Sequence, residues 1–251
     1  MDLGITGRTA AVAASSAGLG LATARALAAD GVTVVLSGRQ QERLDEALAA
    51  LPGLGHRAVV ADVSTPDGAL AFVAAATDAL DGRSPDILVT NAGGPPAGTF
   101  TSTPLDAYEP ALALNLLSVV AMCTAAVPDM RARGWGRVVA ITSVAVKQPI
   151  ATLILSNTAR AGATGFLKTL ATEVAADGVT VNSVLPGLHA TDRLLQLYGG
   201  DPTLAASGIP AKALGDAADF GAVVAFLCSE SARFVTGTAL QVDGGASAGL
   251  L

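Results

Sequence analysis

The chain has 251 residues, of which 51% are hydrophobic and only 14% charged. It is long enough for one large α/β domain and too apolar to stay disordered. Fifteen Lys and Arg against 21 Asp and Glu leave a net charge of -6. That balance argues against a nucleic-acid or anionic-membrane partner, because phosphate binding needs a basic footprint. Cys123 and Cys228 lie in apolar runs without metal spacing, so they read as small buried hydrophobes of a reducing compartment, and no metal site is expected. The N-terminus carries Asp2 and lacks the basic segment of a signal peptide, so the expected location is cytoplasmic.

In chain order, short β-branched runs alternate with Ala/Leu-rich helical patterns. Strands are predicted at Thr9–Ala14, Val32–Ser37, Arg57–Ala61, Ile87–Thr90, Val138–Thr142, Val179–Val184 and Leu240–Val242. Helices are predicted near Gly18–Asp30, Gln41–Leu51, Pro66–Leu80, Leu105–Arg133, Ile150–Asp177 and Ala217–Ser229. Several strands are apolar on both faces, so both sheet faces are covered. The pattern predicts a single-domain Rossmann-type α/β fold: a doubly wound parallel sheet of about seven strands over residues 1–251. Ala111–Val127 imitates a membrane span but holds Asn115, Ser118 and Thr124 and is closed by Pro128. It is at the short limit for crossing a bilayer and reads as a helix buried in a core or a subunit interface. Together with a mean hydropathy of +0.53, it points to a homo-oligomer. Residues 187–215, rich in Gly and Pro with mixed polarity, are the candidate substrate lid. Leu194, Leu195, Leu197, Tyr198 and Leu204 there suggest an apolar or acyl-like guest, or simply pack the lid down, and Arg193 reads either an acidic group or a local helix cap.

After the first strand comes Ala13-Ala14-Ser15-Ser16-Ala17-Gly18-Leu19-Gly20 and then a helix. Glycines let backbone approach a pyrophosphate, and a helix N-terminus supplies N–H donors, so Ser15, Gly18, Leu19 and Gly20 are candidate cofactor contacts. The second strand ends in Ser37-Gly38-Arg39. An acidic residue for the ribose hydroxyl of NAD is missing there, and Arg39 matches the 2′-phosphate of NADP. Asp62-Val63 closes the third strand, where a carboxylate accepts from an adenine amino group or caps a helix.

These segments, with those that follow them, resemble the short-chain dehydrogenase/reductase family over nearly the whole chain. Asn91-Ala92-Gly93-Gly94 follows strand four, Asn115 lies in the long helix, and Ser143 follows strand five. Pro186-Gly187 with Thr191 follows strand six, and Asp243-Gly244-Gly245 follows the last strand. The nearest flavour is the 3-oxoacyl-carrier-protein reductase-like group. The resemblance implies that Gly18 and Gly20 approach the pyrophosphate and that Asn91 and Gly93 pack on the adenosine side. It implies that Asn115 holds the active-site helix and a relay water, and that Ser143 polarises a substrate carbonyl. Pro186, Gly187 and Thr191 would bind the nicotinamide side. It also implies a homotetramer or dimer built on the Leu105–Arg133 and Ile150–Asp177 helices.

Two departures stand out. Ala13 and Ala14 replace the Thr and Gly that open the family's glycine-rich turn, and Ala17 lacks a basic side chain, so NADP(H) preference over NAD(H) rests on Arg39. The family's acidic Tyr and its Lys fall at Ser156 and Arg160. A serine hydroxyl is a poor proton source, and losing a positioned general acid typically costs about 10²–10⁴ in rate. Arg160 keeps the positive charge on the face of Ser156 but releases no proton. It can still hold ribose hydroxyls or grip an anionic substrate group. Lys147 reads either as a replacement donor at the pocket rim or as an exposed loop lysine. His189 reads as a packing or cofactor-contacting residue, and His56 as a surface residue without a partner. Three functions are compatible: an NADP(H)-dependent reductase of a ketone or 3-oxoacyl group with an atypical donor, a catalytically degenerate NADP(H)-binding protein, and a non-redox enzyme in which Ser156 and Arg160 grip an anion.

Overall fold

A computed structural model describes residues 2–191, 194 and 202–249, with the side chains of 202–204 outside the description. Arg193, Leu195, Leu197 and Tyr198 of the expected lid lie outside the described residues, as does the side chain of Leu204.

Seven parallel strands form one sheet in the order β3-β2-β1-β4-β5-β6-β7. They are β1 Thr9–Val12, β2 Thr33–Gly38, β3 Arg57–Val60, β4 Ile87–Thr90, β5 Gly136–Ile141, β6 Val179–Pro186 and β7 Ala239–Val242. The expected fold class holds, and all seven strands occur where the β-branched runs place them. Alternation along β1 sends Ala11 to one face and Ala10 and Val12 to the other. Each set belongs to a separate apolar core, which is why apolar residues occur on both faces of the central strands.

The helices are α1 Gly18–Ala29, α2 Gln41–Ala49, α3 Pro66–Ala79, α4 Tyr108–Leu112, α5 Ser118–Arg133, α6 Ile154–Val174, α7 Pro202–Ser207 and α8 Ala217–Leu227. Thr65 caps α3 by accepting from the Gly68 N–H, with Pro66 pre-setting the first turn. Gly134, at φ +67°, closes α5 in the left-handed conformation that favours glycine. α1 and α2 cover one face of the sheet with α8, and α3, α5 and α6 cover the other.

The predicted helix 105–133 is not uniform. It opens as a 3₁₀ turn at Leu105–Ala107, runs through α4, widens to a π-helical turn at Ala113–Leu117 and resumes as α5. By length and composition this helix could cross a membrane. Its buried side chains, Met122, Cys123, Ala126 and Met130 among them, belong to the core on the α3 face instead. Burial pushes the Cys123 and Cys228 thiols up to about 12, which suits their expected role as inert core residues.

The strand order reverses between β1 and β4. In such sheets ligands bind beyond the carboxyl ends of the strands at that point, so the loops after β1, β4, β5 and β6 meet on one edge.

Candidate active site at the carboxyl edge of the sheet

The turn after β1 is tightly stapled. The Ala14 N–H donates to Ser37 Oγ at 3.0 Å, and Asn91 Nδ2 donates to the Ala14 carbonyl at 3.1 Å. The Ser15 hydroxyl donates to the Val12 carbonyl at 2.7 Å and accepts from the Ser37 N–H at 3.0 Å. Ser15 is fully buried, and its side chain ties β1 to β2. Ala14 is held at φ +46°, a left-handed backbone that disfavours any side chain. A Cβ at Gly20 would lie 2.6 Å from the Ala14 carbonyl oxygen and 2.8 Å from Asn91 Nδ2, so only glycine lets α1 start this close. Gly18 stands at φ +58°, 3.9 Å (from an ideal Cβ) from the Thr191 methyl. The segment after β6 thus passes the glycine turn, and the two line one groove. Leu19 packs against the α1-side core. The N-cap of α1 is Ala17, whose side chain caps nothing, leaving the first N–H groups open to an anion. A groove of about 630 Å³ passes Gly18, Leu21, Arg25, Ala190, Thr191 and Asp216.

Arg39 follows the last residue of β2, is exposed, and makes no hydrogen bond or ion pair among the described residues. Asp62 is exposed and accepts from the Ser64 N–H at 3.0 Å, which shapes the turn, while Thr65 does the helix capping. The Val63 side chain is buried in the core.

At the other end, Ser143 caps a 3₁₀ turn at Val144–Val146, its Oγ accepting from the Ala145 N–H at 3.1 Å. The hydroxyl hydrogen stays available to a ligand. Asn115 lies in the π turn, 3% exposed, and its Nδ2 donates to the Gly93 carbonyl at 2.8 Å. Its Oδ1 is buried without a partner, and π turns of this kind recur at functional sites. Arg160 is drawn into the sheet: Nη1 donates to the Ile141 and Thr142 carbonyls at 3.1 and 2.9 Å, and Nη2 to the Gly93 carbonyl at 3.4 Å. Asn115 and Arg160 therefore share one carbonyl and lock the loops after β4 and β5 together. This engagement disfavours the expected two-pronged grip on an anion, since both terminal nitrogens already serve backbone. Ser156 is 7% exposed, and its hydroxyl has no hydrogen-bond partner among the described residues.

Lys147 is exposed and donates to Gln241 Oε1 at 3.5 Å. The next residue, Gln148, accepts from the Ala248 N–H at 2.8 Å, so the loop after Ser143 is tied to the C-terminal segment. Burial at first pushes the Asp243 carboxyl up, but bonds from Ser247, Gly245 and Ala246 outweigh it and hold the group below its usual range. Pro186 ends β6, and the Gly187 N–H donates to the Val242 carbonyl at 2.9 Å. His189 is buried, its ring edge-on to Phe220 with centroids 5.1 Å apart, and its Nδ1 lies 3.2 Å from the Gly187 carbonyl. Burial holds it below its ordinary range, against the opposing pull of the Gly187 carbonyl and Asp216. It is a packing residue that pins the base of the 187–215 segment, where Ala190 and Gly215 are also hydrogen-bonded. His56 is not the partnerless surface residue expected. Its Nδ1 accepts from the Val34 N–H at 3.1 Å and its Nε2 lies 2.8 Å from the Pro52 carbonyl, which fixes the hydrogen on Nε2. Among the described residues no cluster with metal-ligand character occurs.

Residues 13–247 match the family described as enoyl-(acyl carrier protein) reductase. Dehydrogenase/reductase SDR family member 4 of Oryctolagus cuniculus is 35% identical over 96% of this chain and 94% of its own. The chain belongs to the short-chain dehydrogenase/reductase family. L-sorbose reductase of Gluconobacter frateurii, solved with NADPH and L-sorbose, superposes with a TM-score of 0.90 at 34% identity over 100% of both chains. An NADPH-bound short-chain oxidoreductase of Pseudomonas aeruginosa PAO1, described as containing an atypical catalytic center, gives 0.88 at 31% identity over 96% and 97%. A dinucleotide cofactor is implied by this short-chain dehydrogenase/reductase fold, and the residues fit it. The uncapped α1 N-terminus, the Gly18–Thr191 approach and the crowding at Gly20 form a backbone cradle open to an anion. Ser37, the π turn at Asn115 and the Gln148–Ala248 bond escaped the sequence reading, and no local signal in the sequence marks them.

Proposed function

We propose that the protein is an NADP(H)-dependent reductase of a ketone or 3-oxoacyl group that works without a tyrosine donor. One observation carries this reading: the anion cradle at Gly18–Gly20 and the side chains of Asn115 and Arg160 share one edge of the sheet, where Asn91 holds the glycine turn and the Gly93 carbonyl receives both side chains. The unpaired Arg39 at the end of β2 supports the phosphorylated dinucleotide, as do relatives described with NADPH.

When bound, the cofactor supplies the hydride. Ser143 donates its free hydroxyl hydrogen to the substrate oxygen, since its lone pair already serves the Ala145 N–H. Asn115 and Arg160 are positioning residues that fix the Gly93 loop, and Arg160 adds a permanent positive charge to the edge where negative charge develops. Gln148 and the C-terminal segment wall the loop after Ser143. The fully exposed Phe234 and the exposed Leu105 and Leu117 support a homo-oligomer in which these side chains are covered.

Titration of the purified protein with NADPH and NADH, followed by nucleotide fluorescence, and then an NADPH-oxidation screen over a carbonyl panel including acetoacetyl thioesters, tests the reading. Binding with turnover is expected, tighter for NADPH. Binding of neither nucleotide would refute it.

A further inference from the structure

His189 takes no part in the chemistry assigned above, yet it stands at a junction. Its ring is 5% exposed and rests on two supports. One is Phe220 of α8, met edge-on with centroids 5.1 Å apart. The other is the backbone of Gly215, where an ideal Cβ would lie 2.5 Å from the ring Cδ2 and 2.6 Å from Nε2. Only a residue without a side chain admits the ring there. Backbone joins the same two stretches. The Gly215 N–H donates to the Leu188 carbonyl at 3.0 Å, and the Ala190 N–H donates to the Gly215 carbonyl at 2.9 Å. These bonds make an isolated parallel bridge between His189 and Gly215. So short a pairing is marginal alone, and the packed ring carries it.

The bridge leads to the cofactor cradle. Thr191 follows Ala190, its methyl lies 3.9 Å from an ideal Cβ at Gly18, and both residues line the groove at the start of α1. The ring that holds Ala190 to Gly215 therefore holds Thr191 to the glycine turn. Nδ1 lies 3.2 Å from the Gly187 carbonyl, which places the single hydrogen of the neutral ring there and leaves Nε2 to take a second proton. Charged groups stand on each element around the ring. At the N-cap of α8, Asp216 already accepts from the Ala218 N–H at 2.6 Å, and Asp219 is exposed. After β7, Asp243 accepts from the Gly245 and Ser247 N–H groups, and Lys212 donates to the Ser207 carbonyl. Burial opposes the charged ring more strongly than Asp216 and the Gly187 carbonyl favour it. Beside the ring a cavity of about 110 Å³, bordered by Leu188, Leu214, Val242 and Asp243, has room for the water that a charged imidazole needs.

Resting on the cofactor cradle of the reductase reading, we propose that His189 is a positioning residue for the dinucleotide: its neutral ring clasps residues 188–190 to 213–215, and its protonation opens that bridge, frees Thr191 from Gly18 and weakens cofactor binding in acid. The sign follows from linkage. The imidazolium is more stable with the bridge open, so falling pH favours the open form.

The test measures NADPH and NADH affinity by nucleotide fluorescence at pH 7.5 and 5.5, for the unmodified protein and for His189→Asn. Asn keeps a donor for the Gly187 carbonyl and does not titrate. The ratio of the two proteins' Kd values cancels the titration of the nucleotide itself. Linkage to one group caps the effect at about tenfold one pH unit below the ordinary 6.5. Between pH 7.5 and 5.5 the unmodified protein is expected to lose at least about threefold more affinity than His189→Asn, for both nucleotides. An equal loss in the two proteins, or an excess loss confined to NADPH, would overturn the inference and leave the reductase reading standing. Binding of neither nucleotide at pH 7.5 would overturn both. A second measurement needs no variant and no nucleotide. Protection of the Ala190 and Gly215 amides from hydrogen exchange, corrected for the intrinsic rate, is expected to fall at least about threefold between pH 7.5 and 5.5 while that of β4 holds. Unchanged protection of these two amides would overturn the inference.

Discussion

Ala14 is one of three non-glycine residues held at positive φ among the described residues, and it lies in the turn that opens the candidate cofactor site. It stands at φ +46° because the Ser37 hydroxyl holds its N–H and the Asn91 carboxamide holds its carbonyl. A left-handed backbone costs an L-residue about 1–2 kcal/mol. Ala14→Gly removes that cost but gives the unfolded chain more freedom, a loss of about 0.4–1 kcal/mol. It also gives up part of a methyl burial, since Ala14 packs partly against the core, at most about 0.8 kcal/mol. The net is a small gain of about 0.5 kcal/mol, or about 1–2 °C in Tm for a chain of this length. Ala14→Val goes the other way, because a β-branched side chain suits this region least, and a loss of more than about 2 kcal/mol is expected. Differential scanning fluorimetry on the three proteins, with NADPH affinity measured alongside, checks the order Gly, Ala, Val. Equal melting of the Ala and Val forms would show that the strain is not there, and the account of the turn would fail.

Gly20→Ala is expected to weaken nucleotide binding at least about tenfold, since its methyl would collide with the Ala14 carbonyl and Asn91; fluorescence titration reads it. Burial holds His189 below its ordinary 6.5, so its contribution to stability is full above that pH. It is lost as pH falls through the window between the unfolded and the lower folded value, at a slope of at most about 1.4 kcal/mol per pH unit. His189→Asn is expected to flatten Tm against pH below 6.5, and an unchanged slope would refute the assignment. Glu230 accepts from Trp135 Nε1 at 2.6 Å and lies 3.6 Å from the buried Arg137 guanidinium. Glu230→Ala is therefore expected to cost about 1–2 kcal/mol in urea unfolding, moderated by the backbone carbonyls that Arg137 keeps. Gln148→Ala frees the Ala248 N–H from the loop after Ser143; KM for a carbonyl substrate is expected to rise several-fold while NADPH affinity holds.

The strands were legible because a sheet covered on both faces favours near-continuous apolar, β-branched runs, and β4 came out with the predicted ends, Ile87–Thr90. Glycines at 18 and 20 were legible because their backbone and close approach admit little else. What escaped depends on which way a side chain turns. The spacing of Ser156 and Arg160 placed them on one helix face, but it carried no information on the three carbonyls that capture the guanidinium. Ser15 stood correctly in the turn, yet its hydroxyl was claimed by Val12 and Ser37, residues that only the sheet brings near. His56 looked isolated because Val34, which donates to its Nδ1, meets it only once β2 and β3 pair, and because its local bond to the Pro52 carbonyl depends on how the turn closes. The π turn at Asn115 widens a segment whose composition reads as uninterrupted helix.

These misses explain one another at the active edge. A guanidinium reaches further than an ammonium and forks, so at position 160 it can bridge carbonyls from two strand ends at once. That bridge fixes the Gly93 loop on one side while Asn115 fixes it on the other. Scaffold and cation are thus supplied by one side chain, which leaves Ser156 without a charged partner of its own among the described contacts. The consequence is an edge whose two loops are held together by one guanidinium and one carboxamide meeting at the Gly93 carbonyl.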